Sequence, residues 1–82
     1  MKVTVLHTGQ YHPYGDTFRV FKIETTKSAK EVVQYMKDTY GFDVPNEKDW
    51  DVTDPDSYFR GYYTLGKIDG GFIYTKVEPY DD

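Results

Sequence analysis

The chain has no cysteine, so a disulfide framework and a thiolate metal site are both excluded. Its 82 residues include only two leucines, although leucine normally leads the core of a globular domain. Long apolar runs are missing as well. No stretch approaches the ~18 residues that a membrane helix requires, and residues 1–6 hold a lysine but no apolar run of signal-peptide length. These absences predict a cytoplasmic protein, with no membrane association, that holds its fold by core packing alone. At this length the chain has room for one core, so residues 1–82 read as a single small domain.

The usual chemical signatures are missing too. There is no Gly-x-Ser-x-Gly elbow, Ser28 is committed to a helix start and Ser57 lies among turn residues, so no activated nucleophile is apparent. The glycines near Gly9 and Gly70 fit neither a phosphate-cradling loop nor a dinucleotide fingerprint. His7 and His12, with Asp16 nearby, have no third ligand at a fixed spacing, and no metal site is expected there. Residues 49–56 (DWDVTDPD) begin like a calcium loop, but Asp54 stands where the turn glycine belongs and Arg60 where the bidentate acid belongs. Arg60-Gly61-Tyr62 matches the first three residues of the RNP1 signature of RNA-recognition motifs, and Tyr63, Thr64 and Leu65 then depart from it, so no family resemblance is drawn. The reading is therefore of a non-enzyme without catalytic residues, cofactor or metal.

What is present is aromatic. Nine tyrosines, five phenylalanines and one tryptophan make tyrosine the main packing residue, with hydroxyls that must reach water or a partner. The net charge of -4 is unevenly spread. Residues 41–60 carry six acids against two bases, while residues 1–40 carry four against six. Such a balance opposes a general nucleic-acid binder and suits a partner with a basic surface.

Residues 2–7 (KVTVLH) and 17–25 (TFRVFKIET) read as strands, with residues 8–16 as a loop between them. In the second strand the apolar residues change parity between Val20 and Phe21, which predicts a bulge or a strand covered on both faces. Ser28-Ala29-Lys30-Glu31 fits a capping box, Val32, Val33, Met36 and Tyr40 follow at helical spacing, and Gly41 supplies a left-handed stop. Residues 42–59 then read as a long acidic connection pinned by Phe42, Val44, Trp50 and Phe59. Residues 61–68 and 72–78 flank Asp69-Gly70-Gly71, a strong hairpin signal.

Simple alternation places Tyr62, Thr64, Gly66, Ile68, Ile73, Thr75 and Val77 on one hairpin face, as the floor for the helix. Tyr63, Leu65, Lys67, Phe72, Tyr74 and Lys76 then share the other. The expected fold is α+β, in the order ββαββ, with a mainly antiparallel four-stranded sheet and one helix packed on one face.

Two surfaces are candidates for function. The first is the acidic segment, with Trp50, Tyr58 and Phe59 as anchors and Asp49, Asp51, Asp54 and Asp56 steering a basic protein partner, as in a small inhibitor or a phage or mobile-element accessory protein. The second choice is single-stranded nucleic acid stacked on Tyr63, Phe72 and Tyr74, with Lys67 and Lys76 meeting phosphates. A monomer or a homodimer fits either reading.

Overall fold

The computed structural model describes residues 3–8, 11–14, 17–42, 44–54, 56 and 59–79, with the backbone alone at 11–14. The elements are β1 (Thr4–Thr8), β2 (Tyr11–Tyr14), β3 (Thr17–Thr25), α1 (Ala29–Tyr40), a 3-10 turn (Glu47–Asp49), β4 (Trp50–Thr53), β5 (Tyr63–Ile68) and β6 (Gly71–Pro79). All pairings are antiparallel. The strands follow the order β4-β1-β3-β6-β5, with β2 pairing β3 beside that path.

The fold is thus α+β with one helix, as expected, but the sheet is larger than the four strands in ββαββ order read from sequence. Two segments read as loops are strands. Tyr11–Tyr14 pairs the start of β3 with a register shift, an irregularity that hides it from a period-2 reading despite two tyrosines. Trp50–Thr53 pairs β1 from Val5 to Thr8. Only Trp50 is buried, Asp51 and Val52 are both exposed, and the acidic flanks make the segment look like loop throughout.

Helix α1 starts and stops where its chemistry dictates. Ser28 accepts from the Glu31 N–H at 3.3 Å, and the Glu31 carboxylate accepts from the Ser28 N–H at 3.2 Å, which satisfies two of the free donors at the helix start. Gly41 ends it at φ 74°, with its N–H donating to Lys37 O. The buried stripe Val32, Val33 and Met36 lies on a floor of Leu6, Phe21, Ile23, Ile68 and Ile73, with Val44 and Trp50 closing one side. Phe42 packs on Phe21 at 5.7 Å and stacks on Tyr40 at 5.5 Å, so aromatic rings fill the space that leucines would usually take.

The β5–β6 hairpin turns at Asp69-Gly70, since Ile68 pairs Gly71. Its register shifts between Thr64 and Gly66: Thr64 pairs Tyr74, but Gly66 pairs Ile73. Leu65 is therefore an extra residue in β5, and parity reverses across it. Gly66, Ile68 and Ile73 face the helix as expected. Tyr63, opposite Thr75, joins them, while Thr64, opposite Tyr74, faces away. The simple alternation of the hairpin is corrected on this point.

β3 is covered on both sides. Its pairing with β6 is continuous from Thr17 to Ile23, so no bulge in that ladder explains the parity change. Phe21 and Ile23 point to the helix, while Val20 points to the opposite face and is only 6% exposed. Val5, opposite Glu24, is buried on that same second face. The cover follows from topology. β4 and β5 lie at opposite edges of the sheet, and in the connection between them Phe59 and Tyr62 rest on the face away from α1, against Tyr74, Lys22 and Lys76.

Candidate functional site

The second face is built row by row from the strand registers. Asp51 on β4, His7 on β1, Lys22 on β3, Tyr74 on β6 and Thr64 on β5 are successive cross-strand partners. Neighbouring residues on these strands add Val20, Glu24, Phe72, Lys76 and Lys67 to the same face. The β4–β5 connection lays Phe59 against Tyr74 with ring centroids 4.7 Å apart, and Tyr62 meets Phe59 edge-on at 6.0 Å. The Lys22 ammonium sits 5.2 Å from the Phe59 centroid and 5.4 Å from that of Tyr62, and Lys76 sits 4.9 Å from Tyr62. Each geometry allows an attraction of order 0.5–2 kcal/mol between cation and ring.

Burial in this layer moves its titratable groups. The His7 imidazole is held below its ordinary value of 6.5, chiefly by burial and then by the Lys22 charge, with Asp51 opposing. Burial raises the phenols of Tyr62 and Tyr74, helped by Glu78 and Glu24 respectively. All three shifts favour the neutral forms of these side chains.

The sequence-predicted nucleic-acid residues are only partly brought together. Phe72, at 39% exposure, Tyr74, Lys76 and Lys67 share the second face. Tyr63 does not, because the bulge at Leu65 turns it to the helix side. Tyr62, assigned by alternation to the helix floor, takes its place. Lys76 is already engaged, 2.8 Å from Glu78. Val77, expected on the helix floor, is 44% exposed beyond the end of α1.

The acidic candidates line the opposite border of the sheet. Among the described residues β4 is the outermost strand at this end, and Asp49, Asp51, Asp54 and Asp56 are all exposed in and around it. Asp54 directs one carboxylate oxygen to the Asp56 N–H at 2.8 Å, an Asx turn that holds both acids in place. Trp50 is not a surface anchor. It is 7% exposed in the main core, with its indole N–H donating to Pro45 O at 3.0 Å. The exposed apolar residue of the strand is Val52, at 70%. Phe59 is half-buried in the ring layer, and Tyr58 lies outside the described residues.

Sequence reasoning missed three contributors, His7, Lys22 and Tyr62. Their shared face depends on strand order and on where Phe59 and Tyr62 come to rest, neither of which leaves a local signal. Gly66 inside a strand was the one available hint of a bulge. His12 and Asp16, weighed above as metal ligands, fall outside the described side chains. Among the described residues no group of three His, Asp or Glu could hold a metal ion, and no helix is long and apolar enough to cross a membrane. Comparison of the chain with protein-family models, with curated proteins and with solved structures gives no match.

Proposed function

We propose that the chain is a cytoplasmic, non-catalytic binding protein that receives a basic protein partner along β4. The observation that carries this reading is an outer edge strand with Val52 70% exposed between the exposed carboxylates Asp49, Asp51, Asp54 and Asp56. An edge strand can extend its backbone ladder onto an incoming extended segment, and alternate side chains then set specificity. Here the flanking acids select Lys or Arg on that segment, and Val52 provides the apolar contact. Val52 thereby replaces Trp50 as the anchor.

The test pairs a neutralised chain (D49N/D51N/D54N/D56N) with the native one in affinity capture from host cells at low salt. A partner retained by the native chain, eluted by salt and lost from the neutralised chain is the expected result. A partner held equally well by both chains excludes the edge strand. A second reading, single-stranded nucleic acid on the Phe72, Tyr74, Lys67 and Lys22 face, draws on the convergence of rings and ammonium groups there. It predicts oligonucleotide binding that is strongest at low salt and lost in Tyr74→Ala.

A further inference from the structure

At the end of the sheet beyond α1, on the helix side, Arg19 stands opposite Val77 and beside Tyr63 and Thr75. Past the last turn of α1, Phe42 rests on Phe21 and Tyr40 reaches Gly66, whereas Tyr63 and Val77, further along their strands, are exposed. One terminal nitrogen of the guanidinium, Nη1, donates to Tyr63 Oη at 2.8 Å and to Thr75 Oγ1 at 3.2 Å. Thr75 in turn donates to Val20 O at 2.9 Å, which fixes its lone pairs towards the arginine. The guanidinium is thereby clamped at one end by two hydroxyls.

The donors at this place outnumber the acceptors. A guanidinium carries five N–H groups and a phenol one O–H. Among the described residues no carboxylate is paired with Arg19, and neither its Nε nor its Nη2 has a hydrogen-bond partner. The edge formed by these two nitrogens matches an oxyanion in the two-pronged manner that makes arginine selective for carboxylate and phosphate. Beside it lie two of the exposed large apolar side chains, Tyr63 at 51% and Val77 at 44%.

We propose that Arg19, Tyr63 and Val77 form a receptor for the C-terminal carboxylate of a partner polypeptide whose last side chain is apolar. Three observations select this occupant. A single guanidinium balances a single negative charge, and Lys22 and Lys76 lie on the other face, so neither supplies the second cation that a dianionic phosphate would call for. Among the described side chains the patch is open, with Tyr63 and Val77 exposed, and does not enclose a small acid on most sides as a small-molecule site does. Finally, directly opposed residues in an antiparallel pair have Cβ atoms about 5 Å apart, and a terminal residue bears its carboxylate and its apolar side chain on one Cα, in reach of Arg19 and Val77 together.

The test is NMR titration of the full chain, followed at the Arg19 Nε–H and the Tyr63 and Val77 amides. The probes are an N-acetylated tripeptide ending in valine, the same tripeptide amidated, and benzoate. Saturating shifts with the free tripeptide are expected, at least tenfold weaker with the amide and with benzoate. Arg19→Gln should abolish them, Tyr63→Phe should weaken them with the ring retained, and Arg60→Gln should leave them unchanged. The amide spectrum of each variant reports that it is folded. No saturating shift, equal shifts from the amidated tripeptide, or shifts that survive in Arg19→Gln would overturn the proposal, and benzoate binding as tightly as the tripeptide would replace the peptide terminus with a free acid.

Discussion

At Gly71 an added β-carbon would press on the backbone carbonyl and Cβ of Glu24, whereas at Gly66 it would meet only the Tyr40 side chain. The two glycines look equivalent in a strand but differ in what can yield. A tyrosine can swing aside, and a paired backbone cannot without opening the sheet. Gly71→Ala should therefore cost about 2–3 kcal/mol in urea unfolding and Gly66→Ala only about 1 kcal/mol. Equal losses would show that the hairpin shifts as a unit. Ser28→Ala should cost about 1 kcal/mol by the same measurement, because the Glu31 N–H loses its acceptor.

For single elements, the strength of the local code decides what is legible. The helix could be read to its caps because Ser28, Glu31 and Gly41 act on their own neighbourhoods. The hairpin turn was legible for the same reason. Leu65 shows the opposite case, since an extra residue in a strand acts only against the partner strand, and it moved Tyr63 to the far face without changing the pattern nearby. β4 was hidden by its function as an edge. Its acids, which resemble a solvated loop in sequence, discourage a second copy from pairing there. Neutralising Asp49, Asp51, Asp54 and Asp56 should thus promote self-association in sedimentation, and adding Val52→Ser should reverse it. A neutralised chain that stays monomeric would mean that β4 is blocked by something other than charge.

For the molecule as a whole, the two faces of the sheet are held by different means. The helix side is a conventional apolar core, and the second side is a layer of rings and cations to which the β4–β5 connection contributes Phe59 and Tyr62. Phe59→Ala removes a half-buried ring from that layer and should cost about 1–2 kcal/mol, less than a fully buried phenylalanine. His7 makes the same layer sensitive to acid. Because its folded-state pKa lies below the ordinary 6.5, its contribution is fully present above that value and is lost as pH falls from there through the lowered one. The urea midpoint should drop across this window, and His7→Gln should flatten the drop. The location of this layer could not be read from any short segment, since it required knowing that β4 and β5 stand at opposite borders.

The pairing of β3 with β6 joins residues 17–23 to residues 73–79, and it bears on how the chain is made. Until β6 has been synthesised, the strand carrying Phe21 and Ile23 has an unsatisfied border and an incomplete floor beneath α1. The nascent chain must therefore carry a sticky, half-built sheet while the residues between β3 and β6 are translated. Such long-range closure places the domain among slower folders, and a chaperone that shields β3 should raise its yield more than one that acts on the finished protein.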